Sequence, residues 1–293
     1  MNDLLAALRV HIVAIAACAT LVFGHLFVGS YPVGLALLVG FDWCIVNLMN
    51  RATDVDEDRL NGIAATELVA RHARAIVASC LAALVASLAL GAALLPPRLA
   101  ALRVAFHALG LGYSFRLVPT PKGRRRFKDI YALKNGVSAF MFVLSVGLYP
   151  VLEAEGLVTL SAGGVAAVLL FFFLFEQSFE VIYDLRDVVG DSRVGVPTYP
   201  VVHGVRASAG VVVGLCLASA AVLAVGRALH AVTTRELLMA AAPALQIAFL
   251  RARGAENVTR RDCVGITYAG AALLLVYLAG TAAWARAGLP MDL

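Results

Sequence analysis

Two groups of acidic residues, one within 50–58 and the other within 180–191, each close an apolar stretch of the chain. Spacings of three and four residues place most of these side chains on one face of a helix. Carboxylates gathered at the end of an apolar bundle repel one another unless a cation joins them. Oxygen-only ligands suit Mg²⁺, which binds through a few carboxylates and the phosphates of a substrate. The two groups therefore predict a diphosphate held by metal at a membrane surface.

The first group has an oxygen ligand on each successive helical turn, at Asn50, Asp54 and Asp58. The neighbouring Asp56 and Glu57 are expected to point elsewhere and to be solvated. The second group repeats the pattern with Glu180, Asp184, Asp187 and Asp191, and Glu176 precedes it by one helical turn. A simple acidic loop beside the membrane explains either group alone. Their recurrence at two corresponding helix ends instead favours one site between the halves of an internal pseudo-repeat.

The composition places these groups in a polytopic membrane protein. The chain has 293 residues, of which 61% are hydrophobic and 15% charged, and its mean hydropathy is +0.86. A soluble domain carries about a quarter charged residues. The apolar runs are continuous, as spanning helices require, and do not alternate as barrel strands do. The five cysteines lie in or beside apolar runs, contain no Cys-x-x-Cys pair, and are predicted to be core residues.

The apolar runs predict an all-α bundle of nine transmembrane helices. The first run lacks the features of a cleaved signal peptide. The fourth helix carries Arg103 and His107, and the eighth is short. The predicted spans are 10–29, 33–50, 75–95, 99–118, 131–150, 159–183, 207–227, 236–251 and 263–285.

The distribution of basic residues predicts the orientation of this bundle. Of the 24 Lys and Arg residues, 19 fall on one side of the predicted spans and 5 on the other. Because Lys and Arg accumulate in cytoplasmic loops, both acidic groups are expected to face the cytoplasm. The net charge of +5 is then mainly a topology signal. A nucleic-acid partner is not expected, because the chain has no soluble basic domain.

A basic segment within 113–134 separates the two acidic groups. Positive charge on the cytoplasmic side explains most of it. Some of its side chains are also suited to clamp phosphate oxygens, since Arg binds them in a fork and Lys acts as a point charge.

These features together resemble the UbiA superfamily of intramembrane prenyltransferases, whose members are similar in having nine helices and two acidic motifs. Asn50, Asp54 and Asp58 match positions of the first motif, NDxxDxxxD, although Arg51 replaces its second-position Asp. The stretch 184–191 matches the long form of the second motif, DxxDxxGD. The family often has an Asn-Pro-x-x-Arg-Pro stretch after the first motif, whereas this chain has Asn-Gly-Ile at 61–63.

The resemblance implies a single prenyltransferase domain over 1–293, with its helices around a central cavity in the cell membrane. It implies Mg²⁺-dependent transfer of a polyprenyl group from a polyprenyl diphosphate, with Asp54, Asp58, Asp187 and Asp191 as catalytic residues. The implied metal ligands are Asn50, Asp54, Asp58, Asp184, Asp187 and Asp191. The implied substrate-binding residues are Asn50, Arg51, Tyr113, Lys122, Arg126, Lys128, Tyr183 and Arg193.

The acceptor is not encoded in these motifs. We expect an aromatic acceptor in quinone-type lipid biosynthesis, although the tail of the second motif also looks like that of the glycerolipid and chlorophyll branches. Two other classes stay open: a terpene cyclase of the same family, which needs no acceptor, and a membrane transporter. A transporter would more often place its acids near the middle of the membrane. For Arg51, we expect a contact with a diphosphate oxygen or a pair with Asp56.

Overall fold

The computed structural model describes residues 3–121, 123–131, 133–155 and 159–288. The fold is an all-α membrane bundle. The helices are α1 (Asp3–Ala7), α2 (Val10–Val28), α3 (Val33–Thr53), α4 (Val55–Leu60), α5 (Thr66–Leu94), α6 (Pro97–Ser114), α7 (Lys134–Val143), α8 (Tyr149–Glu153), α9 (Ala162–Val194), α10 (Tyr199–His203), α11 (Val205–Ala228), α12 (Thr234–Leu237), α13 (Ala241–Arg253) and α14 (Arg260–Arg286). A single turn of π-helix, Leu144–Leu148, joins α7 to α8.

Seven helical segments within the described residues are long and apolar enough to cross a membrane. They correspond to the first, second, third, fifth, sixth, seventh and ninth predicted spans. The other two predicted spans are helical but do not reach this level. Of these, α6 carries charges, and α12 and α13 are separated by a short 3-10 turn at Leu238–Ala240. The predicted number of nine spans is therefore not established, while the helical bundle is.

The buried charge of α6, Arg103, is paired inside the bundle. Arg103 is only 1% exposed, and its Nη2 and Nε atoms donate to the two carboxyl oxygens of Asp42 on α3 at 2.7 and 3.0 Å. Arg103 Nη2 also donates to Ser87 Oγ on α5 at 2.8 Å. Gly91 leaves room for this guanidinium, since a Cβ there would lie 2.5 Å from Arg103 Nη1. A charge at this depth needs a partner, and the ion pair therefore ties α6 to α3 and α5.

Two helices set the geometry of the acidic groups. Helix α3 ends at Thr53, and Asp54 stands alone between α3 and α4 with φ −109° and ψ 22°. The expected single helical face through Asn50, Asp54 and Asp58 is therefore interrupted. In contrast, α9 continues to Val194, well beyond the predicted end of its span, so the whole second group lies on one helix.

The two groups meet where the loop after α4 touches α9. Asn61 Oδ1 accepts a hydrogen bond from the backbone N–H of Gly190 at 2.9 Å. A Cβ at position 190 would lie 2.0 Å from that same oxygen, so only glycine permits this approach. The glycine of the second motif thus has a packing role that holds α9 against the end of the first motif.

A short hairpin lies over the same end of the bundle. Its strands, β1 (Val118–Thr120) and β2 (Gly123–Arg125), pair in antiparallel register, with Val118 opposite Arg125. The following 3-10 turn, Phe127–Asp129, is held by Asp129, whose carboxylate accepts from the backbone N–H and the guanidinium of Arg126. This turn directs basic side chains from the hairpin towards the first acidic group.

Candidate active site

Asp54 is the centre of the first acidic cluster, which we define as Asn50, Asp54, Glu57 and Asp58. Its carboxylate is buried and is contacted by Arg126 Nη1 at 2.8 Å and by Lys128 Nζ at 2.7 Å. Asn50 also donates a hydrogen bond to it from the last turn of α3. The basic segment therefore does reach the acidic motif, as its sequence suggested.

Glu57 belongs to this cluster and is not solvated as expected. Lys128 Nζ lies 2.7 Å from Glu57 Oε2, so one buried ammonium bridges Glu57 and Asp54. Burial raises the pKa of Glu57, and the nearby Lys128 opposes that rise. Asp56 does behave as expected, since its side chain is exposed and pairs with Arg59 at 3.1 Å.

Asp58 turns away from Asp54 and pairs with two arginines. Arg51 Nε lies 2.8 Å from Asp58 Oδ2, and Arg9 Nη2 lies 3.6 Å from Oδ1. Burial raises the pKa of Asp58, while Arg9 and Arg51 act in the opposite direction. The break at Asp54 explains this separation, because Asp58 no longer continues the ridge of α3.

Arg51 pairs with Asp58 and two backbone carbonyls instead of the expected Asp56. Its guanidinium is 1% exposed and donates to the carbonyl oxygens of Ala6 and Ala64 at 3.2 and 2.8 Å, in addition to pairing with Asp58. It does not pair with Asp56. Arg51 is therefore held by α1, α4 and the loop before α5.

The second acidic cluster, Asp184, Asp187 and Asp191, is organised around one lysine. Lys134 Nζ, at the start of α7, lies 2.5 Å from Asp184 Oδ1 and 3.2 Å from Asp191 Oδ2. Asn135 Nδ2 donates to the other oxygen of Asp184 at 2.9 Å. Asp184 and Asp191 are two turns apart on α9, so one cation reaches both carboxylates.

The remaining residues of the second motif have different surroundings. Asp187 forms an ion pair with its neighbour Arg186. Arg193 is exposed near the end of α9, and the structure does not place it with either cluster. In the tail of the motif, His203 Nε2 lies 2.6 Å from Tyr131 Oη, so the tail contacts the segment that follows the basic hairpin.

A cavity of about 140 Å³ opens beside the clusters and runs into the bundle. Three predicted substrate-binding residues border it: Asn50 at the end of α3, Tyr113 on α6 and Tyr183 on α9. The Tyr183 hydroxyl lies 2.7 Å from Thr267 Oγ1 on α14. An apolar chamber of about 80 Å³ shares Ile15, Glu176 and Phe179 with this cavity and extends between α9, α13 and α14.

The donor atoms of both clusters fit a hard divalent cation. All are carboxylate or amide oxygens, the ligands that Mg²⁺ prefers. The position of Lys134 Nζ shows that Asp184 and Asp191 can converge on one cation. Within the described residues, three or more His, Cys, Asp or Glu side chains do not come together in a preformed metal site. The carboxylates are balanced by Lys and Arg instead, which are also the natural partners of a diphosphate.

Comparison with known proteins decides the family. The model of the UbiA prenyltransferase family matches residues 10–264. This chain belongs to the UbiA prenyltransferase family. The match spans both acidic clusters, the basic hairpin and eight of the nine predicted spans in full. A search of curated proteins finds no match.

Solved structures of the family share the fold at low identity. A UbiA homolog from Archaeoglobus fulgidus bound to DMAPP and Mg²⁺ has a TM-score of 0.72 and 18% identity, over 94% of this chain and 97% of that one. A digeranylgeranylglyceryl phosphate synthase has a TM-score of 0.61 and 18% identity, over 96% and 99%. A UbiA homolog from Aeropyrum pernix K1 has a TM-score of 0.63 and 17% identity, over 94% and 98%.

The structure brings six of the thirteen site residues that the sequence singled out into two groups. Asn50, Asp54, Arg126 and Lys128 form one group, and Asp184 and Asp191 form the other. Lys122 lies outside the described residues. Sequence reasoning did not select Lys134, Asn135, Glu57, Arg9 or Asn61. A lysine and an asparagine at the start of a membrane span were the available signal for the first two.

Proposed function

We propose that this chain transfers a prenyl group from a prenyl diphosphate to an acceptor held in the membrane, in a reaction that requires Mg²⁺. The observation that carries the proposal is a cavity between apolar helices that is bordered by Asn50 of the first cluster and by Tyr183, which directly precedes the second cluster on α9. The solved relatives bound to DMAPP or GPP with Mg²⁺ support the same donor class.

Acidic and basic residues of the chain have different roles in binding the donor. Asp54 and Asn50 on one side, and Asp184, Asp187 and Asp191 on the other, are the groups that would hold Mg²⁺. Bound Mg²⁺ supplies charge neutralisation for the departing diphosphate. Arg126, Lys128 and Lys134 are placed to exchange a carboxylate partner for a diphosphate oxygen when the donor arrives. We propose that Asp58 holds Arg51 and Arg9 in place and does not bind the metal.

The transfer itself breaks the bond between the allylic carbon of the donor and the diphosphate oxygen, and the bonding electrons leave with the diphosphate. The acceptor nucleophile forms a new bond to that carbon and gives up its proton. Departure of the diphosphate leaves positive charge on the allylic carbon. The helices around the cavity exclude water, which would otherwise react with this carbocation. The apolar chamber between α9, α13 and α14 offers room for the prenyl chain.

We further propose that the acceptor is aromatic, as in quinone-type lipid biosynthesis. Trp43, Phe142 and Phe179 border the cavity and provide faces against which an aromatic ring can stack. A glycerol phosphate acceptor, as the name of the related synthase suggests, is the second candidate. The overall similarity in fold favours glycerol phosphate, whereas the aromatic side chains that line the cavity favour an aromatic acceptor.

The test is product analysis. Membranes that contain the protein are incubated with labelled geranylgeranyl diphosphate, Mg²⁺ and either aromatic or glycerol phosphate acceptors. The proposal expects a labelled lipid that appears only with both Mg²⁺ and an acceptor. A labelled hydrocarbon formed without any acceptor would identify a cyclase instead. If the donor stays intact under all conditions, both the transferase and the cyclase are ruled out.

We also propose that the two clusters face the cytoplasm of a cell membrane, on the evidence of the charge asymmetry. Arg124 in the hairpin and Glu155 after α8 are both exposed and lie on opposite sides in this topology. Cysteine substitutions at these positions should be labelled by an impermeant reagent from opposite sides. Labelling of both from one side would contradict the proposed orientation.

A further inference from the structure

The wall of the central cavity holds polar groups that the donor-binding clusters do not use. Glu176 and Glu180 lie one turn apart on α9, and Asn47 lies on α3 three residues before Asn50. All three border the cavity, and Glu176 also borders the apolar chamber. None of them belongs to either acidic cluster as defined above.

These groups are left with unused hydrogen-bonding capacity. Asn47 is only 6% exposed, and its buried Nδ2 has no hydrogen-bond partner. Within the described residues, Glu176 forms neither a hydrogen bond nor an ion pair, and Glu180 accepts one hydrogen bond, from Ser138 Oγ at 2.6 Å. Leaving a buried amide without a partner destabilises the fold, so such groups are normally satisfied by a ligand, a water molecule or a neighbour.

A ligand group that both donates and accepts hydrogen bonds satisfies this wall. An ionised carboxylate only accepts hydrogen bonds, whereas the Asn47 amide nitrogen only donates them. A neutral hydroxyl can donate to a glutamate and accept from Asn47 at the same time. A carboxylate or phosphate on the ligand could accept from Asn47 but would be buried beside two further acidic side chains, and a buried anion is costly when no cation pairs with it. The basic Arg9 also borders the cavity, but it pairs with Asp58.

We propose that Asn47, Glu176 and Glu180 form the acceptor subsite and select an acceptor whose polar group is a neutral hydroxyl, in preference to one that carries a carboxylate or phosphate. This inference rests on the proposed prenyl transfer and specifies the acceptor for it. The aromatic side chains of the cavity make a phenol the best fit. Glu176, at the boundary with the apolar chamber, holds the hydroxyl closest to the path of the prenyl chain.

The proposal can be tested by binding alone, without donor or Mg²⁺. Trp43 borders the cavity, and the second tryptophan, Trp284, is removed by Trp284→Phe. The quenching of Trp43 fluorescence is then measured in the purified full-length protein with three related probes in mildly acidic buffer. These are 4-nitrophenol, in which the hydroxyl is neutral, 4-nitroanisole, in which it is blocked, and 4-nitrobenzoate, which is anionic.

The subsite predicts that 4-nitrophenol binds about 10-fold more tightly than 4-nitroanisole, the value expected for one additional buried hydrogen bond. It also predicts that 4-nitrobenzoate binds most weakly. Glu176→Gln and, separately, Asn47→Leu should reduce the affinity for 4-nitrophenol towards that for 4-nitroanisole. Glu153→Gln, at the far end of α8, serves as the control and should leave all three affinities unchanged.

The proposal is overturned if 4-nitrophenol and 4-nitroanisole bind equally, if 4-nitrobenzoate binds most tightly, or if both cavity variants fold and bind like the parent. Thermal unfolding of each variant establishes whether it folds, and having two independent variants keeps the test decisive if one does not. Because the assay contains no donor, its failure is separate from a failure of prenyl transfer. If labelled product forms but the three probes bind equally well, as measured by Trp43 quenching, the prenyl transfer is supported and the subsite is rejected.

Discussion

The two acidic clusters occupy corresponding helix ends, yet their charges are balanced in different ways. In the first cluster the carboxylates have several cations, with Arg126 and Lys128 at Asp54 and Arg51 and Arg9 at Asp58. In the second cluster a single lysine, Lys134, serves both Asp184 and Asp191. Asp54 and Asp58 in the first cluster therefore have separate, dispersed cations, whereas Asp184 and Asp191 in the second cluster share one.

The backbone explains this difference. Helix α3 stops just before Asp54, so the residues that follow turn away and find separate partners. Helix α9 continues without a break through 184–191, so Asp184 and Asp191 stay within reach of one ammonium, while Asp187 pairs with its neighbour Arg186. A cluster with dispersed partners should tolerate the loss of one cation, whereas a cluster with a shared cation should not. The predictions below test that contrast.

The largest expected effect is on turnover. Asp54→Asn and Asp191→Asn each remove the charge of a carboxylate that is suited to bind Mg²⁺, one from each cluster. Each should lower kcat by about 10³-fold, comparable to losing one strong electrostatic contact to a transition state. The measurement is labelled product formation at saturating Mg²⁺ and donor. Full activity in either variant would show that its cluster is not needed for the chemistry.

The next effect is on stability. Lys134→Met leaves two buried carboxylates without their shared cation and should lower the free energy of unfolding by about 3–5 kcal/mol. Lys128→Met also removes the cation beside Glu57, but it should cost less, because Asp54 keeps Arg126 and the Glu57 side chain is more exposed than those of Asp184 and Asp191. Thermal unfolding in detergent without Mg²⁺ compares the two variants, and added Mg²⁺ should restore part of the loss in Lys134→Met. Equal losses in the two variants would contradict the contrast between shared and dispersed cations.

A smaller effect is expected at the contact between the clusters. Gly190→Ala should destabilise the protein by about 1–3 kcal/mol, since the new methyl group overlaps the Asn61 side chain. Asn61→Ala in the same chain removes the overlapping atoms and should recover part of the loss. Gly214→Ala, where no atom lies within 4 Å, is the matched control and should be neutral or stabilising. A loss as large in the control would remove the packing explanation.

The smallest effect on function is expected at Arg51. Arg51→Lys keeps a positive charge near Asp58 but loses the fork that also reaches Ala6 and Ala64. The KM for the donor should stay within about twofold of the parent, while the free energy of unfolding falls by about 1–2 kcal/mol. Arg126→Lys provides the comparison, because Arg126 contacts Asp54 and should raise the KM. A raised KM for the donor in Arg51→Lys would indicate instead that Arg51 contacts the donor.

The sequence was sufficient to predict the membrane bundle, the family resemblance and the positions of the two acidic motifs. Local spacing and long apolar runs determine these features. The break at Asp54 was not predictable in the same way, since Thr53-Asp54-Val55 contains neither proline nor glycine. The pairing of Lys134 with Asp184, and of Asn61 with Gly190, depends on how distant helices pack. A pattern read along one helix contains no information about such partners.

The central claim is that both clusters bind one diphosphate together. The most direct measurement is the Mg²⁺-dependent affinity for labelled geranyl diphosphate in the parent, Asp54→Asn, Asp191→Asn and the double variant. If one diphosphate is shared, each single substitution should remove most of the Mg²⁺-dependent affinity, and the double variant should be little worse than either. Losses in binding free energy that add independently would instead contradict a shared site.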